Sequence, residues 1–341
     1  MMTTMIGIDP HKGSHTAVAI DCDEHILDEF RVRASSAQTE WLREWAAPFA
    51  DRTWAIESAH GLGYLLAQQL IAVGETVLDV PPMRAARVRV LGSGRSLKND
   101  PNDARSVAIA ALRADDLSVV AVDDHARVLR LLSKRHRDLA RLKNNACSRL
   151  HALLEMITGG AGFRMHTANL VKPLLNQLTP VDAMGRQRLE IANELVVDID
   201  RYDQLLKASR ARINTAVAAS GTTLTDIVGL GPITAAMITG NIDRFATPAR
   251  YASYNATAPV EALLGNRVRH RLNQRGNRKL NWAIHVVAIS QLRYDTPGRV
   301  FYDRKIAEGK TTKEAIRALK RRLSDVIYRH LVADAQRRAS N

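Results

Sequence analysis

The stretch Met5-Ile6-Gly7-Ile8-Asp9, an apolar run that ends in a carboxylate, decides the fold of the first third of the chain. Two more strand-like runs follow at residues 16–21 and 26–32, and polar, turn-like segments connect all three. Because short connections of this kind join antiparallel neighbours, the three runs predict a β-meander.

The segment after the meander alternates between helical and strand patterns. Residues 38–49 place Trp41, Leu42 and Trp45 on one helical face, and residues 53–57 form the next strand-like run. A helix through residues 64–73 and a strand at residues 76–80 follow, and Pro81 and Pro82 end that strand. A meander followed by a βαβ unit predicts a mixed sheet with helices on its faces, in the order of a ribonuclease-H-like fold.

Two long amphipathic patterns occupy the middle of the chain, at residues 126–157 and at about 186–217, and a glycine-rich break at residues 159–162 separates them. Apolar residues recur in both at steps of three and four, so we expect two long helices. They fit a helical hairpin or coiled-coil arm, and equally two helices of an ordinary bundle, since neither keeps a strict heptad. We therefore predict three domains, at residues 1–125, 126–220 and 221–341, the last mainly α-helical.

The last domain carries two features typical of nucleic-acid binding. The segment around Gly229-Leu230-Gly231-Pro232 resembles a helix-hairpin-helix turn, although a glycine-rich helix connector is nearly as good an interpretation. Residues 265–280 are densely basic and predict a loop or hairpin that binds a phosphate backbone. The predicted contacts, with one more from the turn after Asp9, are Lys12, Arg267, Arg269, Arg271, Arg275, Arg278 and Lys279. Near the same turn, His11 and His15 could also contact substrate phosphate, or could simply be polar turn residues.

Composition supports the same class of partner. The chain has 341 residues, with 49 Lys and Arg against 35 Asp and Glu, a formal net charge of +14. Such an excess favours a polyanion, most commonly nucleic acid. Two distant cysteines, Cys22 and Cys147, give no disulfide framework and fit a reducing cytoplasm. No apolar run approaches the roughly 20 residues of a membrane span, and no signal peptide is apparent, so we expect a cytoplasmic protein, associated with the nucleoid when bound to DNA.

Four acids predict the chemistry. Asp9 and Glu57 end strands that we expect to be neighbours, and Asp100 and Asp103 lie on one face at the start of a helical pattern. Carboxylates fixed in this way suit a divalent metal that polarises a phosphate and generates a nucleophile. Taken one at a time, Asp100 could instead cap the helix before Pro101, and the strand-end acids could simply lie on the surface. Together they predict a catalytic site for Mg²⁺ or Mn²⁺.

The combination of motifs resembles the DEDD transposases of bacterial insertion sequences, in the family numbered one hundred and ten. Besides the segments around the four acids, the resemblance rests on residues 228–231, 250–254, 258–261, 270–273, 275–281 and 302–305. It implies a RuvC-like catalytic domain with Asp9, Glu57, Asp100 and Asp103 as the metal-binding set, a coiled-coil segment and a C-terminal transposase domain. It also implies DNA recombination guided by an RNA that the element encodes, in a dimeric or tetrameric complex.

One departure from the family pattern concerns the nucleophile. The family supplies a serine in a motif often written Glu-Ala-Ser-Ser-Gly, whereas this chain reads Glu261-Ala262-Leu263-Leu264-Gly265. A leucine carries no hydroxyl with which to attack phosphorus. Our leading hypothesis is an RNA-guided transposase or recombinase. The alternatives are a RuvC-like structure-specific nuclease that cuts without strand exchange, and a catalytically silent nucleic-acid-binding relative.

Overall fold

The structure is a computed structural model, and it describes residues 4–93, 100–159, 168–240, 242, 245–264, 267–271 and 276–340. It divides into two compact units, Met1–Asp123 and Asp124–Asn341. None of the described helices is both long enough and apolar enough to cross a membrane. The first unit contains an α/β sheet, and the second is mainly helical, as the sequence predicts.

The first unit is a six-stranded mixed sheet with helices on both faces. Its strands and helices are β1 (Thr4–Pro10), β2 (Ser14–Ile20), β3 (Ile26–Arg33), α1 (Gln38–Trp45), β4 (Arg52–Glu57), α2 (Tyr64–Ala72), β5 (Val77–Val80), α3 (Pro82–Ser93), α4 (Asp100–Leu112) and β6 (Ser118–Val119). The spatial order is β3-β2-β1-β4-β5-β6. β1 pairs antiparallel with β2 and parallel with β4. The expected meander and βαβ unit are therefore present, which confirms the ribonuclease-H-like class.

Two cores lie on opposite faces of this sheet because successive side chains of a strand point to opposite sides. On one face, Ile6, Ile8 and Ile56 pack with Leu42 of α1 and Leu66 of α2. On the other, the sheet residues Met5, Val18 and Ala55 pack with residues of α4 that include Ala104, Val107 and Ala108. The alternation also decides which face a polar residue at a strand end will join.

The second unit is built from helices and one hairpin. Its elements are α5 (His125–Thr158), α6 (Ala168–Leu175), α7 (Ala183–Ala219), a 3₁₀ helix (Thr223–Asp226), α8 (Pro232–Ile238), α9 (Pro248–Tyr254), β7 (Val260–Leu264), β8 (Arg267–Arg271), α10 (Arg278–Gln291), α11 (Pro297–Ala307) and α12 (Thr312–Ala339). The side chains of β7 and β8 lie outside the described part, as do residues 272–275. The basic segment thus forms an antiparallel hairpin as far as its backbone is described.

The helices α5 and α7 form a long antiparallel pair. Leu129 near the start of α5 packs with Ile213 and Val217 near the end of α7, whereas Leu150 and Val196 pack at the opposite end. The two predicted long helices are present, and a helical hairpin or coiled-coil arm made of them stays a prediction. The three-domain division likewise stays a prediction.

Candidate metal and nucleic-acid site

Strand alternation places Asp9 and Glu57 on the face that α4 covers. Gly7 and Ala55 are register partners in the parallel pair β1–β4, and Ile8 and Ile56 form the next pair toward the carboxyl ends. Ile8 and Ile56 both point to the α1–α2 core. The residues that follow them, Asp9 and Glu57, therefore point to the opposite face, at neighbouring strand ends.

The helix α4 brings the other two acids to this point. It begins at Asp100, and Asp103 lies one turn later. Its close approach to the sheet depends on Gly7, because a Cβ at this position would overlap with the carbonyl oxygen of Ala104 and lie 2.5 Å from the nitrogen of Ala108. A larger residue at position 7 would push α4, and both acids with it, away from Asp9.

The charge of the cluster perturbs Asp9. This residue is 6% exposed, and its pKa is raised from 3.8 to about 6 in total, with burial as the largest cause. The nearby carboxylates of Glu57, Asp103 and Asp100 contribute to this rise, and His11 opposes it. Because charges interact appreciably only when they lie near one another, these contributions support the prediction that the four acids lie close together.

His11 is a fifth member that sequence reasoning ranked only as a weak candidate for phosphate contact. Its Nδ1 lies 3.5 Å from Oδ2 of Asp9, and its Nε2 lies 3.9 Å from Oδ1 of Asp100. Potential ligand atoms of Asp9, His11 and Asp100 all fall within 4.8 Å of one another. The sequence signal was its position two residues after Asp9, in the turn that follows β1.

His15, which the sequence grouped with His11, does not belong to the site. It pairs with Pro10 in the β1–β2 register but is only 4% exposed. Its Nε2 lies 2.9 Å from Oε1 of Gln38 in α1, on the opposite face of the sheet. The interpretation of His15 as a phosphate contact was therefore wrong, because strand alternation turns it away from Asp9.

Two arginines neutralise the helix acids. Arg31 of β3 lies 3.4 Å from Asp100, and Arg89 of α3 donates a hydrogen bond to Asp103. A cleft of about 460 Å³ beside the cluster is lined by Asp100, Arg31 and other residues of β2, β3 and α4. A phosphate could therefore approach the acids from a side that also offers a guanidinium.

Comparison with known proteins identifies the relatives of this chain. A family model described as a transposase, for DEDD enzymes of the IS110 type, matches residues 6–158. A second model, described as "Transposase IS116/IS110/IS902 family", matches residues 221–303. The chain belongs to the IS110 family of transposases.

Proteins of three insertion elements are similar over nearly their whole length. An uncharacterized 44.8 kDa protein of IS116 from Streptomyces clavuligerus is 26% identical, with 95% of this chain and 93% of the relative covered. An uncharacterized 42 kDa protein of IS900 from Mycobacterium paratuberculosis is 28% identical, with 94% of each covered. The 43.6 kDa protein of IS110 from Streptomyces coelicolor is 24% identical, with coverage of 95% and 92%.

A solved structure, RuvC from T. thermophilus in complex with Holliday junction substrate, matches with a TM-score of 0.28 and 17% identity. The match covers 35% of this chain and 99% of RuvC. The fold class of this IS110-family transposase follows instead from the order of the strands in its own sheet.

The predicted nucleic-acid contacts of this transposase lie in both units. Lys12 is exposed in the turn between β1 and β2, and Arg278 and Lys279 are exposed in the first turn of α10. Arg267, Arg269 and Arg271 occupy alternate positions of β8, where only the backbone is described. Arg275 lies outside the described residues. These assignments stay predictions.

The departure from the IS110-family motif falls at the end of a strand. Leu263 and Leu264 close β7, opposite Val268 and Arg267 of β8.

The glycine-rich segment that resembled a helix-hairpin-helix turn also has a packing function. Gly229 has a φ of +83°, and a Cβ there would lie 2.7 Å from Cβ of Ser290 in α10. Glycine at position 229 is therefore required for the close contact between this turn and α10.

Proposed function

We propose that the chain catalyses metal-dependent DNA cleavage and strand exchange for its insertion element, guided by an RNA that the element encodes. Asp9, Glu57, Asp100 and Asp103 are the proposed catalytic set and the proposed ligands of Mg²⁺ or Mn²⁺. The observation that carries this proposal is geometric: Asp9 lies at a strand end next to that of Glu57, and potential ligand atoms of Asp9, His11 and Asp100 lie within 4.8 Å of one another.

The donor set fits a hard divalent cation. Mg²⁺ and Mn²⁺ prefer oxygen ligands, and the four proposed ligands are all carboxylates. Burial, together with the neighbouring carboxylates, raises the pKa of Asp9 to about 6, so a bound cation would favour the ionised form. When bound, the ion supplies polarisation of the phosphate and a nucleophile that is active at neutral pH.

The side chains of the site supply rigidity and charge balance. Asp9 is held by the sheet, since its backbone lies in β1 between β2 and β4. Arg31 and Arg89 hold Asp100 and Asp103 through ion pairs. His11 contacts Asp9 and Asp100 at the exposed side of the cluster, with half of its side chain accessible, so it can approach a substrate phosphate.

The partners follow from the family and the charge. A transposase acts on DNA, and the net charge of +14 favours a polyanion. We propose that Lys12, Arg267, Arg269, Arg271, Arg275, Arg278 and Lys279 contact DNA or the guide RNA. The active species would be a homodimer or homotetramer in the cytoplasm, associated with the nucleoid when bound to DNA, with the domains at 1–125, 126–220 and 221–341.

The test is strand exchange in a defined mixture of protein, guide RNA, donor DNA, target DNA and Mg²⁺. We expect Asp9→Asn, Glu57→Gln, Asp100→Asn and Asp103→Asn each to lower the rate at least roughly 100-fold, the order of magnitude for losing one charge-stabilising group. Asp115→Asn, at an exposed acid after α4, is the matched control and should leave the rate unchanged. Full activity of Asp9→Asn would refute the metal assignment.

Cleavage without strand exchange is the second candidate function, and Leu263-Leu264 is the observation that favours it. With no hydroxyl in the motif, water activated at the acidic cluster would act as the nucleophile. Denaturing gels separate the two candidates. A protein–DNA adduct that survives denaturation would show a covalent nucleophile, whereas cut DNA without adduct or joined product supports the nuclease. Binding that Asp9→Asn leaves unchanged, with no cleavage by the wild type, would indicate the catalytically silent relative.

A further inference from the structure

A cavity of about 530 Å³ opens in the second unit. Its walls come from the 3₁₀ helix and the residues after it, the end of α10, and the facing sides of α11 and α12. Such a volume lies within the range of small-ligand sites, roughly 300–1,000 Å³. Nothing in the proposed strand-exchange chemistry uses it.

The walls of the cavity carry both apolar and positively charged side chains. Phe301, Leu319 and Leu323 give an apolar interior, whereas Arg304 and Arg322 are exposed at its edge. Their guanidinium carbons lie 5.2 and 6.0 Å from the centre of the Phe301 ring. The cavity therefore combines an aromatic surface with fixed positive charge.

Positive charge at this edge is only partly balanced. Glu308 lies 3.7 Å from Arg304. Within the described part of the chain, no carboxylate lies within 4.0 Å of the Arg322 guanidinium. Asp226 is on the opposite wall, where it can accept hydrogen bonds but repels anions. An anionic group is therefore expected on the α11–α12 side, close to Arg322.

The walls are held in place without a ligand. The Gln291 side chain donates a hydrogen bond to the carbonyl oxygen of Val228 at 3.0 Å, which joins α10 to the segment after the 3₁₀ helix. Thr296 donates to the Gln291 carbonyl and caps α11. Gly298 permits this arrangement, since a Cβ there would overlap with Oε1 of Gln291. The cavity is thus preformed, which lowers the cost of ordering a site around its occupant.

We propose that this cavity binds one unstacked nucleotide of a nucleic-acid strand. The base stacks on Phe301 and the adjacent guanidinium groups, and its phosphate pairs with Arg322. Unpaired bases are commonly held on aromatic rings and arginine planes in this way. The proposal rests on the proposed function only in taking nucleic acid, rather than an acidic peptide, as the occupant.

The test uses a short single-stranded probe of about ten abasic phosphodiester units, a length within known single-strand site sizes. A second probe is identical except for one 2-aminopurine at its centre. With EDTA present, we expect the wild type to bind the probe with the base about 10-fold more tightly, as one stacking contact predicts, and to change its fluorescence. Working without metal separates this result from any failure of the cleavage chemistry.

Two substitutions and their controls assign the contacts. Phe301→Leu should remove the preference for the base, and Phe301→Tyr, which keeps the ring, should retain it. Arg322→Gln should weaken binding of both probes more than Arg317→Gln does, because Arg317 is exposed on the same helix but does not line the cavity. Thermal unfolding of each variant verifies that it folds.

Three outcomes would overturn the proposal. They are equal affinity of the wild type for the two probes, an unchanged preference in Phe301→Leu, and a change of oligomeric state in Arg322→Gln with probe binding unaltered. The last would show that the cavity accepts a protein segment instead.

Discussion

Ala108 of α4 packs directly on the backbone of Gly7 in β1, and a Cβ on Gly7 would lie 2.5 Å from the Ala108 nitrogen. A helix can approach a strand this closely only where the strand carries no side chain. The contact sets the height of α4 above the sheet, and with it the distance of Asp100 and Asp103 from Asp9.

We predict that Gly7→Ala displaces α4 and weakens both the fold and the site. Overpacking of a tight contact typically costs about 1–3 kcal/mol in the free energy of unfolding, measurable by urea denaturation. Strand exchange should fall more than this loss of folded protein explains. Gly13→Ala is the control, since a Cβ there meets nothing within 4 Å. Equal behaviour of the two variants would show that α4 is not positioned by Gly7.

We predict that Asp9→Asn stabilises the metal-free protein while it abolishes activity. The folded pKa of Asp9, about 6, is above its ordinary 3.8, so the folded state binds the proton more tightly than the unfolded state does. The contribution of Asp9 to stability is therefore most favourable below pH 3.8, is lost as the pH rises through about 6, and stays lost above it. At 1.36 kcal/mol per pKa unit the gain at pH 7 is about 3 kcal/mol.

The measurement is the difference in unfolding free energy between Asp9→Asn and the wild type across pH, in EDTA. Taking the difference removes the titration of other acids, such as Glu75, whose pKa is lowered by hydrogen bonds from Arg52 and Trp54 against the effect of burial. The difference should vanish below pH 3.8. A constant difference at all pH values would contradict the shift of the Asp9 pKa.

We predict that Mg²⁺ offsets most of this difference in stability. A ligand that binds only the folded state stabilises it by about 2.7 kcal/mol at 100 times its dissociation constant. The melting temperature of the wild type should rise with added Mg²⁺, and that of Asp9→Asn should stay nearly constant. Asp115→Asn should respond as the wild type does. An equal rise in Asp9→Asn would place the ion elsewhere.

A fourth prediction concerns Lys320, whose side chain is almost fully buried. Its Nζ donates to Oδ1 of Asn281 at 2.5 Å, and burial lowers the pKa of Lys320. The amide of Asn281 in turn donates to the carbonyl oxygens of Asn255 and Ala256. Ala256 has a φ of +59°, a left-handed conformation that a residue other than glycine adopts only when its surroundings hold it there.

Asn281→Ala should therefore cost about 2–4 kcal/mol, because it leaves a buried ammonium and two carbonyls without their partner. In a Lys320→Met background the same substitution should lower the free energy of unfolding by less, since no buried charge is then left without a partner. A double-mutant cycle by urea denaturation measures the difference. Additive effects would mean that the two side chains do not interact in the folded protein.

Much of the fold could be predicted from the sequence, because apolar residues recur every second residue in strands and about every 3.6 residues in helices. The run at residues 5–9 predicted β1, and the observed strand extends it by one residue at each end. The helices at 126–157 and 186–217 appear as α5 and α7 with slightly wider bounds. Such patterns succeed because a buried face must repeat with the geometry of its element.

Contacts between elements were less readable. The sequence placed Asp9 and Glu57 on adjacent strands. No sequence pattern indicates that α4 packs against Gly7, or that Arg89 donates a hydrogen bond to Asp103. His11 and His15 looked alike as turn residues, and only the orientation of β2 separates them. The cavity around Phe301 was missed because its walls come from segments up to 104 residues apart, from Asp226 to His330.

The placement of Asp100 and Asp103 on α4 has a consequence for protein synthesis. Under the proposed assignment, the strands that carry Asp9 and Glu57 leave the ribosome before the helix that completes the ligand set. A nascent or truncated chain that lacks α4 would hold only half of the ligands and could not cut DNA. The ligand set is therefore complete only once α4 has been synthesised and has packed on the sheet.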